Sequence, residues 1–404
     1  MGRLPRVAVR GYLPGGQNGR GEKVGPKQLI RKGARDIAAG LLHYTGGRRV
    51  MAAMRRKLLG GRRLLIVSYH RVVDDFAREL RRSIPGLLIS SETFRGHLES
   101  IHAAGFEFST LDHALAVLSG QRSAKKDLCV LTFDDGYRDV YRNGFPILQS
   151  MGVPAIMYLP AALIGTSRRF DHDRLFHLIQ TMIERGHWPI YDMLPPAAPV
   201  LLEPVLRRKM TISVSLDQFI ETYSSTVLKE VVDALKRQMG GGSELDPEHG
   251  DILDWDEVHK MSSAGMDFGA HTLEHIVLTL EPPERVLREI RGSKELIEGQ
   301  VGRRVTHFAF CNGWYSDEVI RTLIENGFES AVTTEDYPNR IGDNPFTLKR
   351  KVLWENFSIG LLGKYSGALT ACQVDDVFGM LRVNHPVRGR RLQRLPFESH
   401  SGAR

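Results

Sequence analysis

Leu128-Cys129-Val130-Leu131-Thr132-Phe133-Asp134-Asp135-Gly136-Tyr137 is the stretch on which the fold turns. Six residues of apolar or β-favouring type run straight into two carboxylates and a glycine. A run this short, closed by turn residues, is expected to be a buried strand. Two adjacent carboxylates at its end repel each other if they share one environment. A cation between them and other ligands removes the conflict, holding one as ligand and leaving the other as a base. A turn with capping aspartates is the plainer alternative.

Working outward, the same unit recurs. Leu64–Tyr69 is a short apolar run ending at His70, and Pro154–Leu159 follows the helical pattern Phe145–Met151. Helical patterns are expected over Thr93–Ala104, Leu111–Leu118, Trp255–Ser263, Glu284–Gln300 and Ser316–Asn326. Strands are expected over Met266–Ala270, Thr306–Phe310 and Phe328–Thr333. Short alternating pairs of this kind suit a parallel α/β barrel, whose loops after the strands form the site. Between about residues 165 and 250 the alternation stops. That stretch reads as a helical insertion with a proline-rich break, closing in a polar linker at 240–250.

The 404-residue chain is 42% hydrophobic and 25% charged, an ordinary globular profile. Its three cysteines, Cys129, Cys311 and Cys372, exclude a disulfide scaffold and a four-cysteine zinc module, and suit a reducing compartment. No apolar run approaches the ~20 residues of a membrane span, and the first residues lack the apolar core of a secretory leader. The expected location is therefore cytoplasmic, with peripheral attachment at the inner membrane as the alternative.

The net charge of +8 is unevenly placed. Residues 1–63 hold 16 Lys/Arg against 2 Asp/Glu, a net +14, and residues 382–404 hold 6 Arg against one Glu, a net +5. The body between them is thus acidic, at −11. Nothing in that body resembles a nucleic-acid reader, so no nucleic-acid partner is expected. Residues 1–26, rich in Gly, Pro and Arg, are expected to be disordered. From Lys27 to Leu59 the pattern turns helical: Ile30, Ala34, Ile37, Leu41 and Tyr44 fall at three- and four-residue steps, broken by Gly46-Gly47. A basic amphipathic helix can lie on an anionic membrane, so residues 27–63 suggest such a contact. Packing on the chain's own domain is the equal alternative.

Two further strand ends carry polar groups. In Gly269-Ala270-His271-Thr272-Leu273-Glu274-His275, two histidines four apart share a side if the segment is one helical turn, which suits a divalent metal. With an aspartate from another strand end they make a His₂-carboxylate set that leaves a position open for water. The third end, Phe308-Ala309-Phe310-Cys311-Asn312-Gly313, reads in isolation as a plain turn.

At TFDDGY (132–137) and HTLEH (271–275) the chain resembles the polysaccharide deacetylases with a NodB-homology domain, carbohydrate esterase family 4. The lead-in Tyr69-His70-Arg71-Val72 is similar to a bacterial branch of that family. The resemblance covers roughly residues 64–355. It implies an α/β fold: a distorted (β/α)7 barrel, here with an inserted helical subdomain at 165–250. A basic helical extension at 1–63 and a C-terminal extension at 356–404 flank it. It further implies metal-dependent removal of N-acetyl groups from amino sugars of a polysaccharide or its precursor. Carried over residue by residue, Asp135, His271 and His275 hold the metal, most simply Zn²⁺. Asp134 is the base, and a backbone N–H near Asn312 stabilises the oxyanion. His70 supplies the acid in the branch with the early Tyr-His. Tyr137, Trp314 and Tyr315 are expected to be exposed near the cleft and to stack on sugar rings.

Departures from the family pattern are specific. Ala309 stands where an arginine often orients the base, Cys311 stands where proline is usual, and the late Leu-x-His motif is absent. Lys349 or Arg350 is expected to replace the arginine, and Cys311 to be a small semi-polar substitute. Phe170–Arg174 of the insertion could reach the cleft, and reads more simply as an acidic helix start. Hydrolysis of another non-peptide C–N bond and a catalytically silent glycan-binding or assembly protein remain the alternatives.

Overall fold

The computed structural model describes residues 26–58, 63–240, 251–336 and 339–380. The expected N-terminal disorder, the polar linker and the basic C-terminal tail lie outside the described residues. Among the described residues the central sheet has eight parallel strands, seven of them along one path: β1 (Leu64–Tyr69), β2 (Asp127–Phe133), β3 (Ala155–Leu159), β4 (Asp267–Ala270), β5 (His307–Ala309), β6 (Ser330–Val332) and β7 (Lys351–Val352). They run in the order β7-β1-β2-β3-β4-β5-β6, with Phe106–Phe108 pairing the start of β2. A parallel bridge from Val332 to Leu348, just before β7, brings the two edges together. The sheet therefore curls into a distorted barrel.

Burial on both faces explains why these strands read as continuous apolar runs rather than as alternation. Leu64, Ile66, Leu128, Val130, Ile156, Tyr158, Ala309, Val332 and Leu348 form one cluster. Because it joins strands from opposite sides of the sheet, this cluster is the barrel's inside. The intervening residues, among them Val67, Leu131, Met157 and Phe308, pack outward under the surrounding helices.

Two additions flank the barrel. Between β3 and β4 four helices, Asp171–Arg185, Ala198–Leu206, Ile212–Ile220 and Ser225–Gln238, close on their own core around Ile179, Leu201, Leu216, Phe219 and Val231. Before β1, helix α1 (Pro26–Tyr44) packs on Gly367–Val374, and helix α2 (Gly47–Leu58) meets the short helix Val377–Met380. Buried ion pairs fasten this corner: Arg48 and Arg63 both reach Asp375, and Arg63 lies 2.7 Å from Asp127, the first residue of β2.

Candidate active site at the barrel mouth

Strand periodicity delivers the polar residues. Along β1 the inward positions Leu64, Ile66 and Ser68 continue to His70, and along β2 Leu128, Val130 and Thr132 continue to Asp134. The same two-residue step leads from Leu348 to Arg350. Three side chains from separate segments thus meet above the interior without any special loop.

Asp134 is clamped. Arg350 donates two parallel hydrogen bonds to it, Nη1 to Oδ1 at 2.7 Å and Nη2 to Oδ2 at 2.8 Å. Arg350 is fixed in turn by the Thr333 carbonyl at 2.9 Å and Thr132 Oγ1 at 3.2 Å. Of the two expected replacements for the missing arginine, Arg350 holds the position, while Lys349 turns to Asp343. Burial alone would raise the Asp134 pKa, but Arg350, His271 and His70 outweigh it and hold the carboxyl below its ordinary value. His70 Nε2 stands 3.8 Å from Asp134 Oδ2. Burial lowers the His70 pKa, and the nearby Asp135 and Asp134 only partly offset this.

Asp135 faces elsewhere. Its backbone adopts φ +73°, which turns the side chain away from its neighbour's partner. Asp135 Oδ1 lies 3.4 Å from His271 Nε2 and 3.1 Å from His275 Nε2, yet it is buried without a hydrogen bond. An orphaned buried carboxylate oxygen is costly. Here it sits between two ring nitrogens, a donor set that fits a divalent cation. The other ring nitrogen of His271 lies 2.7 Å from the Ala309 carbonyl, which fixes Nδ1 as the donor and leaves the Nε2 lone pair for the site.

The two histidines do not share a helical turn as the spacing suggested. The segment 271–277 is irregular, with Thr272 at φ +65° and His275 at φ +56°. Two left-handed residues, one of them β-branched, bring the rings together to 4.9 Å between centroids. Ile276 N–H to Thr272 Oγ1 at 3.2 Å closes this turn. Among the described residues, four of the six non-glycine positive-φ positions are Asp135, Thr272, His275 and Asn312, so backbone strain concentrates in the three motif loops. Gly269 is needed for a different reason: a Cβ there would stand 2.6 Å from the Tyr158 ring and 2.8 Å from the His307 carbonyl.

The donor atoms of His271, His275 and Cys311 lie within 4.8 Å of one another, a grouping that does not take in Asp135. Cys311 Sγ, however, is 3.9 Å from His271 Nδ1, the nitrogen already committed to Ala309. The thiol is therefore a polar packing neighbour of His271, and Asp135, on the Nε2 side, is the better third donor.

A cavity of about 1210 Å³ opens above these groups, lined by His70, Asp134, Asp135, His271, His275 and Arg350. Asn312 and Trp314 line it as well, Asn312 exposed and Trp314 mostly covered. Tyr137 corrects the expectation of an exposed stacking ring. It is fully buried, its hydroxyl donates to Asp173 Oδ2 at 2.7 Å, and the Arg71 guanidinium covers its ring. Tyr315 is also buried, bonded to Glu335.

The residue that captures Tyr137 comes from the insertion. Phe170 and His172, at the start of its first helix, both pack against His275, edge-on and tilted, at centroid distances of 5.0 and 5.2 Å. The insertion thus forms a wall of the site. The segment is also the acidic helix start its sequence suggests, with Asp171 and Asp173 in the first turn.

The family model described as polysaccharide deacetylase matches residues 121–190 and 215–331, which include both carboxylates and both histidines. The chain belongs to the polysaccharide deacetylase family. The gap in the match, 191–214, falls inside the helical insertion of this deacetylase-family chain. YxkH of Bacillus subtilis (strain 168) is 18% identical over 249 residues, 62% of this chain and 60% of that protein. The chain thus matches about three-fifths of the length of that curated relative. Two solved structures are similar. The Streptococcus pyogenes deacetylase PplD in complex with acetate has a TM-score of 0.49 at 16% identity, covering 74% of this chain and 96% of that one. IcaB from Ammonifex degensii has a TM-score of 0.49 at 17% identity, covering 78% and 98%.

Proposed function

We propose that this chain is a metal-dependent hydrolase that removes N-acetyl groups from amino sugars of a polysaccharide or its precursor. The observation carrying this reading is the separation of two adjacent carboxylates: Arg350 clamps Asp134, while Asp135 faces two histidine nitrogens. Asp135, His271 and His275 would hold the ion, and the nitrogen-rich set favours Zn²⁺. Such an ion supplies Lewis acidity, polarising the acetamide carbonyl and acidifying a water.

The chain's own groups do the rest. Asp134, ionised because Arg350 depresses its pKa, takes the water's proton. His70, 3.8 Å away, enters the cycle as neutral imidazole, accepts that proton and delivers it to the leaving amine nitrogen. Asn312, in its left-handed turn at the cavity wall, offers backbone N–H to the developing oxyanion. Trp314 is buried rather than exposed as expected, and only the edge it leaves at the cavity wall, with Phe170 and Phe310, offers aromatic surface to a sugar ring. The Arg350 clamp on Asp134 and the nearness of His70 support this reading over the silent-scaffold alternative, which rested on Ala309 and the missing late motif.

The primary test is acetate release from N-acetylated oligosaccharides by zinc-loaded and chelator-stripped protein. Release by the loaded form alone is expected. No release from any N-acetylated glycan, with full zinc occupancy, would overturn the reading. His70→Ala should lower kcat about 10²-fold with zinc content unchanged; an unaltered kcat moves the acid role elsewhere.

Zinc affinity should also depend on pH. In the ion-free protein, burial lowers the pKa of His271 and His275, but Cys311 and Asp135 outweigh it and raise both above the ordinary value. Protons then compete for the same nitrogens, so affinity should fall as pH drops through and below neutrality. Titration calorimetry in buffers of different ionisation enthalpy should register proton release on binding.

A further inference from the structure

Both N-terminal helices turn an apolar face to solvent. On α1, Ala34, Ile37, Ala38, Leu41 and Tyr44 share one face, and that face is exposed, with Ile37 at 64%, Leu41 at 62% and Tyr44 at 84%. The face packed on the domain carries the small residues Gly33 and Ala39 with the half-buried Leu42. On α2 the contrast is sharper. Arg48 and Arg55 are buried against Asp375 and Asp376, while Val50, Ala53 and Met54 are exposed between Arg49 and Lys57. Leu361 and Leu362 extend the apolar surface, on a loop whose backbone donates to Asp36 of α1.

Large apolar residues scattered singly need no explanation, but two adjoining helices that both expose apolar side chains do. Among the described residues no helix is long and apolar enough to cross a membrane. We propose that α1 and α2 form a docking face for a bilayer carrying anionic headgroups, lying in the interface with Ile37, Leu41, Tyr44, Val50 and Met54 inserted.

Charge selects this occupant. Arg49 and Lys57 flank the stripe, and the adjoining residues 1–25 carry five Lys/Arg against one Glu. Residues 382–404, which follow the helix packed on α2, add a net +5. Polybasic segments beside an apolar helical face are drawn to anionic lipid, each basic residue strengthening binding about fivefold. A second copy of this chain would bring the same cations face to face. The acidic body is repelled by the same surface, which leaves the basic corner as the end that touches. Arg56 of α2 bonds Asp127 at the start of β2, whereas Asp134 follows its end. The strand between separates the two by about 20 Å, so docking would leave the cavity mouth free.

Flotation of the full chain with phosphatidylcholine vesicles, with and without phosphatidylglycerol, tests this. The chain should float with the anionic vesicles and be released by high salt. Arg49→Glu with Lys57→Glu should weaken partitioning by at least about tenfold. The triple variant Ile37→Ser, Leu41→Ser, Met54→Ser should stay in the soluble fraction with wild-type circular dichroism and acetate release. No flotation, equal flotation with neutral vesicles, or undiminished flotation of the triple variant overturns the proposal. So does light scattering that shows a dimer which the triple variant breaks.

Discussion

Asp134→Asn should lower kcat for acetate release by about 10²–10⁴-fold while zinc stoichiometry stays unchanged. The two halves of this expectation rest on separate contacts. Asp134 touches Arg350 and approaches His70, but not the ring nitrogens that Asp135 faces. Asparagine keeps an oxygen for one Arg350 donor and the side-chain volume, so the cavity keeps its shape. What it loses is the ability to take a proton. Asp135→Asn is the necessary contrast, because it should lose zinc and activity together. Activity of Asp134→Asn within a few-fold of wild type would remove Asp134 as the base, whatever the ion does. A loss of zinc in that variant would instead assign Asp134 to the donor set. The measurement is a kcat ratio paired with metal analysis on the same sample.

The contrast between these aspartates was legible in the sequence as chemistry, because adjacent carboxylates at the end of an apolar strand force a division of labour. The strands were legible too, since burial on both faces writes them as uninterrupted runs such as Leu64–Tyr69. The His271–His275 spacing misled about conformation. Four residues bridge a helical turn, but a loop with left-handed Thr272 and His275 achieves the same meeting, and no residue type announces it. Tyr137 misled about exposure. Its burial is decided by Asp173, 36 positions away, and no local pattern reports such a contact. The N-terminal stripe was visible as periodicity, whereas its direction was not: amphipathicity says that a face is apolar, and only the packing of Ala39 and Leu42 on the domain says that the stripe points outward. Arg350 lay between these cases. A two-residue step from buried Leu348 into a third-motif gap was a readable signal, but its neighbour Lys349 carried the same charge.

Arg350 is therefore where positioning can be separated from mere stability. Arg350→Met removes one partner of a fully buried pair and leaves the Asp134 carboxylate uncompensated, at a cost of about 3–5 kcal/mol in urea unfolding. That loss alone would follow from a structural role. The pH profile would not. With the guanidinium gone, burial acts on Asp134 with less opposition, so its pKa rises and the acid limb of kcat/KM should move to higher pH. Arg350→Lys keeps the positive charge but loses the forked pair of bonds and the links to Thr333 and Thr132. It should return the acid limb most of the way while kcat stays depressed by roughly tenfold, because the base is charged but no longer aimed. If the methionine variant does not fold, the lysine variant alone still carries the test. A lysine variant with wild-type kcat would show that charge suffices and that the bidentate clamp is dispensable. An unmoved acid limb in a folded methionine variant would show that Arg350 does not hold the base ionised.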